Sequence, residues 1–253
     1  MAENYIVLKY RDGVRTITIN RPEKKNAISL SMYQTISNVL NEDAANDKVV
    51  VTILTGSGSY FTSGNDLKGS LSQEIPVKDS LNVVKTMIDA FINYPKLLIA
   101  VVNGPAIGIG ATMAALCDIV YATNKAVFDT PFVKLGLCAE AASSFTFPHA
   151  LGRSKASEVL LLNYKLSAQE AYQFGFISNI IPHSSLNKFI NNLHKHGTIP
   201  VKSLTRNKQL IMANYKPVLY ESINREMEQL FECMASEEFS NAILKFLDKK
   251  SKL

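Results

Sequence analysis

The longest apolar stretch of this chain, residues 97–122, sets the tightest limit on what it can fold into. A membrane helix needs about 18 uninterrupted apolar residues, and here Asn103-Gly104-Pro105 and two further glycines, Gly108 and Gly110, break the run. The stretch therefore belongs inside a folded core. Its breaks divide it into a buried strand over 97–102, a turn at Asn103-Gly104-Pro105 and a buried helix starting near Gly108. A strand leading into a helix in this way is the unit of α/β architecture, with helices packed on sheet faces.

The flanking sequence repeats the alternation. Residues 16–19 are β-prone and stop at Asn20-Arg21-Pro22. Ser29 or Ser31 can cap a helix running to about Leu40. Residues 49–55 form a β-branched run ended by Gly56-Ser57-Gly58, and 119–122 read as another short strand. Residues 83–91 have helical spacing, which Tyr94-Pro95 ends, while the polar, irregular segment 70–80 reads as a mobile loop. Beyond Pro200 the strand signals fade, and apolar spacing around 218–231 and 242–247 is helical. This divides the chain into a core over 1–199 and a helical C-terminal region over 200–253.

With 253 residues, 47% hydrophobic and 19% charged, the chain is long enough for one well-packed domain. The N-terminus has neither a basic start nor an apolar segment of the kind a secretory signal requires. Cys117, Cys138 and Cys233 are odd in number and lack metal-type spacing, so they read as free thiols in a reducing compartment. The net charge of +5 suits a polyanionic ligand but also an ordinary basic surface. No basic stripe with interleaved aromatics supports nucleic-acid binding, and the four histidines have no evident partner. The last three residues, Ser251-Lys252-Leu253, form the tripeptide that an import receptor reads as a peroxisomal address at a free C-terminus.

Three places can carry chemistry. Phe61-Thr62-Ser63-Gly64-Asn65-Asp66-Leu67 follows the strand at 49–55, and Asn103 to Gly110 joins a strand to a helix. Glycines let the backbone approach a ligand closely, and the first N–H groups of a helix have no partner within it. Two such turns can each offer an N–H to one carbonyl oxygen, as an oxyanion hole does; each alone is equally a tight connection. The third place is Glu140, a lone carboxylate among Leu137-Cys138-Ala139 and Ala141-Ala142. Burial there would raise its pKa into the range of a general base, whereas a solvated helix face would leave it inert.

At these places the sequence resembles the crotonase (enoyl-CoA hydratase/isomerase) superfamily, over roughly residues 5–181. Asn20 to Ala27 is similar to the family's early CoA-contacting loop. Phe61 to Leu67 matches its F-x-[AS]-G-x-D-[LI] motif, and Asn103 to Gly110 with Cys117-Asp118 matches the second oxyanion segment and its helix. The resemblance implies a spiral of β-β-α units and a helical C-terminal part that forms homotrimers or a dimer of trimers. It places the oxyanion amides on Asn65 and Ile109, where Ile109 replaces a more usual glycine. Ser63, Gly64, Asp66 and Leu67 would line the thioester and pantetheine path with Asn65. Lys24, Lys25 and Ala27 would meet the CoA moiety, although both lysines are equally compatible with a solvated surface.

Departures from the family pattern point to the reaction. Thr112 and Phe132 stand where hydratases carry two water-activating glutamates. The run from Leu135 to Pro148, with Glu140 inside it, looks like that of the peroxisomal Δ3,Δ2-enoyl-CoA isomerases, whose corresponding glutamate is the base. The resemblance thus implies isomerisation of 3-enoyl-CoA to 2-trans-enoyl-CoA in the peroxisomal matrix. Coenzyme A would be part of the substrate, and no separate cofactor or metal would be needed. Phe246 and nearby lysines would close the acyl-CoA site, in this or a neighbouring subunit. A catalytically weak acyl-CoA-binding protein of the same fold, thioester hydrolysis and residual hydration remain the alternatives.

Overall fold

A six-stranded sheet with helices on both faces organises the molecule. The structure, a computed structural model, describes residues 5–67, 69 and 75–251, and leaves out the side chains of 247–251. In chain order its elements are β1 (Ile6–Arg11), β2 (Val14–Ile19), α1 (Leu30–Ala45), β3 (Val51–Gly56), α2 (Val77–Asn93), β4 (Leu97–Val102), β5 (Ala106–Ile107) and α3 (Ile109–Ala115). There follow β6 (Ile119–Thr123), β7 (Val127–Asp129), α4 (Ser143–Leu151), α5 (Arg153–Leu162), β8 (Leu166–Ser167), α6 (Ala168–Gln173) and β9 (Asn179–Ile181). Four helices end the chain: α7 (Leu186–Leu193), α8 (Val201–Ala213), α9 (Lys216–Met234) and α10 (Glu237–Ser251).

The main sheet has the order β1-β2-β3-β4-β6-β9, and a second sheet has β5-β7-β8. Only the β1–β2 pair of the main sheet is antiparallel. Strand β1 is absent from the sequence reading above. Its hairpin turns through Asp12 and Gly13, at φ 51° and 78°, the left-handed pair that a two-residue turn between twisted strands demands.

Alternation along the strands sends side chains to two cores. Ile17, Ile19, Leu54, Leu98, Ala100 and Val102 join the larger one. There they meet Tyr33 and Ile36 of α1, Met87 and Phe91 of α2, and Met113 of α3. Val51, Ile53, Ile99 and Val101 face the other side, with Phe189 and Leu193 of α7 and Leu204 of α8. Because parallel central strands are covered on both faces, β3 is buried along its whole length.

Two segments differ from the sequence expectation. Helix α1 runs beyond Leu40 to Ala45, since Asp43 is buried and receives two bonds from Arg15 at 2.7 and 3.0 Å. Helix α2 begins at Val77, so residues 77–80 form its first turn instead of a loop, with Asp79 favourably placed near the dipole's positive end. Of the rest of the expected loop, Ile75 and Pro76 are non-helical and residues 70–74 lie outside the described residues. So do Lys252 and Leu253 of the targeting tripeptide, together with the side chain of Ser251. The cysteines are free thiols. Three histidines do have partners: His149 meets the Tyr215 hydroxyl, and His183 and His194 face the Asn103 and Arg11 carbonyls. Among the described residues no helix is long and apolar enough to cross a membrane.

Candidate active site

Strands β3 and β4 both end at the same edge of the sheet, and the turns that follow them meet there. The turn after β3 is held from three sides. Asn26 at its base donates to the Ser57 and Tyr60 carbonyls at 2.8 and 2.7 Å. Ile28 N–H donates to the Gly64 carbonyl, and Asp66 N–H to that of Ile28, each at 2.9 Å. Ile107 N–H donates to the Thr62 carbonyl at 3.0 Å. Gly64, at φ 91°, is required here: a Cβ would come 2.9 Å from the Ile107 carbonyl oxygen. The turn after β4 ends in Gly108, at φ 55° and ψ −122°, which starts α3. A side chain is strained in that conformation.

The Asn65 and Ile109 amides face no hydrogen-bond partner among the described residues. The Ile109 side chain is fully buried and belongs to the larger core. Asn65 is further fixed by Tyr33 of α1, whose hydroxyl donates to Asn65 Oδ1. Tyr33 is buried, and burial followed by the nearby Glu140 charge pushes its pKa up, which keeps it a neutral donor.

Glu140 sits just ahead of α4 and is 8% exposed, so the solvated-face alternative does not hold. A methyl group on Gly108 would stand 4.0 Å from Glu140 Oε1 and 3.9 Å from Phe132 Cε1. The carboxylate thus faces the turn that carries the Ile109 amide. Burial, and then the charge of Glu226, raise its pKa from 4.5 to about 8. Such a group exchanges a proton readily near neutral pH.

Arg21, Lys24, Lys25, Ala27, Ser63, Gly64, Asn65, Asp66, Leu67, Ile109 and Glu140 all line one cavity of about 1530 Å³. Lys245 and Phe246 of α10 line it too, within the same chain. Asp66 is held by an ion pair: Arg21 Nη1 donates to it at 2.5 Å, and the Arg21 guanidinium lies over the Tyr5 ring. Burial pushes the Asp66 pKa up, but the bonds from Arg21 and Gly69 and the charges of Arg21 and Lys24 outweigh it and hold it below the ordinary value. Lys25 lies over the Tyr60 ring. Of the two positions where hydratases carry glutamates, Thr112 donates to the Ile109 carbonyl at 3.3 Å and Phe132 stands, like Glu140, beside the Gly108 turn. Both are buried and neither carries a carboxylate.

Tyr33, Arg21 and Glu226 were not singled out from the sequence. For Glu226 a signal existed. On α9 the buried positions are Leu219, Ser222, Ile223, Glu226 and Leu230, so a carboxylate stands in the apolar stripe of a helix, a place that demands a partner.

A largely parallel sheet with two glycine turns meeting at one edge and a buried glutamate facing them is the arrangement of the crotonase class. Residues 9–252 match the enoyl-CoA hydratase/isomerase family model, and the chain belongs to that family. It is 40% identical over 253 aligned residues to enoyl-CoA delta isomerase 2 of Rattus norvegicus, an alignment covering 98% of this chain and 64% of the rat protein. It is 38% identical over 252 residues to enoyl-CoA delta isomerase 3, peroxisomal, of Mus musculus, covering 98% and 79%. Among solved structures, an enoyl-CoA hydratase/isomerase from Pseudoalteromonas atlantica T6c superposes with a TM-score of 0.90 at 30% identity, over 97% of each chain.

Proposed function

We propose that the protein is a Δ3,Δ2-enoyl-CoA isomerase, which moves the double bond of a 3-enoyl-CoA into conjugation as the 2-trans-enoyl-CoA. The observation that carries the reading is Glu140: a buried carboxylate, with a pKa of about 8, set beside the Gly108–Ile109 turn, whereas Asp129 in the same cavity wall is paired with Lys165. The C2 proton of a 3-enoyl thioester is acidified by both the carbonyl and the double bond. Glu140 takes this proton, and the electron pair shifts to give a dienolate whose oxygen receives the Asn65 and Ile109 N–H groups. The same carboxyl then returns the proton at C4, so atoms balance with no redox partner. One base reaches both carbons because they lie on one face of a short allylic unit.

The absence of carboxylates at Thr112 and Phe132 argues against hydration, which needs water to be activated. Lys24 and Lys25 at the cavity rim suit the CoA phosphates, and the names of the rat and mouse relatives support the same reaction. The peroxisomal matrix as location rests on Ser251-Lys252-Leu253 and on the mouse relative's name. Assembly as a homotrimer or dimer of trimers through the helices after residue 200 follows from family membership.

The test is conversion of trans-3-hexenoyl-CoA, followed by the absorbance of the conjugated thioester, for the unmodified enzyme and Glu140→Ala. Turnover that falls by about 10³-fold or more in the variant is expected, as for loss of an essential acid–base group. Release of free CoA or accumulation of 3-hydroxyacyl-CoA instead would refute the isomerase assignment.

A further inference from the structure

Glu140 occupies a backbone that needs outside support. The two residues after it, Ala141 and Ala142, are both left-handed, at φ 54° and 58°. Non-glycine residues pay for that conformation individually, and two in succession persist only where the surroundings hold them. Inside the segment one side-chain bond helps: Glu140 N–H donates to Ser143 Oγ at 3.2 Å. The stronger hold comes from α9, more than eighty residues later in the sequence. Glu226 Oε2 accepts the Ala142 N–H at 2.7 Å, and Glu226 Oε1 accepts the Ser144 N–H at 2.9 Å. Both oxygens of one carboxylate thus satisfy amides at the start of α4, which have no partner within the helix and where the helix dipole favours an anion. Glu226 is itself 6% exposed, so the pair of bonds is sheltered from water and correspondingly strong.

We infer that Glu226 is the positioning residue for the catalytic base: its carboxylate, brought in by the C-terminal helical region, fixes the Ala141-Ala142 turn that presents Glu140 and places a second negative charge behind it. The inference rests on the isomerase reading for the word catalytic, but the geometry does not depend on it. Two consequences are separable. The bonds to Ala142 and Ser144 hold the carboxylate of Glu140 at the Gly108 turn, which affects the rate and not the binding of CoA. The charge of Glu226 disfavours ionised Glu140, adding to the effect of burial. The other titratable neighbours of this pair are Tyr33 of α1, facing Glu140, and Cys138 with Arg225, near Glu226. Tyr33 and Cys138 are held neutral by burial, and Arg225 is exposed and engaged with Glu221. Burial raises the pKa of Glu226 as well, against the lowering effect of the bonds from Ser144 and Ala142 and the Arg225 charge; once ionised, Glu226 is the negative charge that Glu140 meets.

The experiment compares the full chain with Glu226→Gln and Glu226→Asp, measuring kcat against pH, the Kd for non-reactive octanoyl-CoA, and the ¹³C carboxyl titration of Glu140 by NMR. In Glu226→Gln, an uncharged group that accepts fewer bonds, kcat should fall by about 10- to 100-fold while Kd stays within about 3-fold. The ascending limb of kcat and the NMR midpoint of Glu140 should both move to lower pH, because the repelling charge is gone. Glu226→Asp keeps the charge but draws it back by one methylene, so kcat should fall with a much smaller change in midpoint; this variant also decides the matter if Glu226→Gln does not fold. An unaltered kcat and an unaltered Glu140 midpoint in a folded Glu226→Gln would overturn the inference. Lack of any turnover by the unmodified protein would instead sink the isomerase reading, and the NMR midpoint would still decide whether Glu226 governs Glu140.

Discussion

Replacing Glu140 by Gln should make the protein more stable as well as inactive, and the gain should depend on pH in a defined way. In the folded state burial and the Glu226 charge raise the Glu140 pKa from 4.5 to about 8. An acid with a raised pKa binds its proton more tightly folded than unfolded. Between those two values the native state therefore holds a proton that the unfolded state has released, and stability declines as pH rises. At about 1.36 kcal/mol for each tenfold change in proton affinity, the whole interval corresponds to about 5 kcal/mol, reached above about pH 8. Integrated from low pH, the loss is about 1 kcal/mol at about pH 5 and about 3 kcal/mol at about pH 7. Glutamine keeps the shape and carries no charge, so the variant escapes this loss and also frees Glu226 of its like-charged neighbour. Urea unfolding of both proteins at matched concentration, at about pH 5 and about pH 7.5, gives the comparison through the midpoint at unchanged m-value. The advantage of Glu140→Gln should grow by about 2 kcal/mol or more between the two conditions. An advantage that is the same at both pH values, or none at either, would show that Glu140 titrates as an ordinary carboxylate and that the burial argument is wrong.

Two other substitutions test the oxyanion side. Tyr33→Phe removes the hydroxyl that fixes Asn65 Oδ1; kcat should fall about 10-fold, with a stability loss of about 1 kcal/mol in thermal unfolding, and an unchanged kcat would show that Asn65 is held well enough by its backbone. Gly108→Ala meets no atom closer than 3.9 Å, so its cost is backbone strain of about 1 to 3 kcal/mol, and kcat/KM should drop by about 100-fold as the Ile109 amide shifts; a variant as active as the parent would place the oxyanion donors elsewhere.

What the sequence made legible, and what it hid, divides along a physical line. Strands β3 and β4, helix α3 and the two glycine turns were readable because each rests on local signals: β-branched runs, turn residues, and glycines where the backbone bends sharply. The Asp12-Gly13 hairpin carries a local signal as well, a two-residue turn of the favoured type. Glu140 was visible as a lone carboxylate among small residues, though its burial was not. The end of α1 was concealed because a buried Asp43 looks polar until Arg15 is placed against it. The pairings of Tyr33 and Glu226 were concealed for the same reason, although the place of Glu226 in an apolar stripe signals that it needs some partner. Each works through a partner 32 or more residues away, and no local pattern carries a pairing over that distance.

The span of the cavity wall has a consequence for how the molecule comes into being. Its first lining residues lie near Arg21 and its last at Lys245 and Phe246, with Glu226 holding the Glu140 segment between them. A chain emerging from the ribosome can form the β1–β2 hairpin and pair β2 with β3 early. The pocket, however, has no complete wall and no braced carboxylate until α9 and α10 have been synthesised and have docked. Interactions so far apart in sequence are costly to close and form late. A ligand can therefore meet a finished pocket only on a nearly finished chain, and a chain stopped short of α9 would carry the two glycine turns without the helix that steadies the carboxylate opposite them.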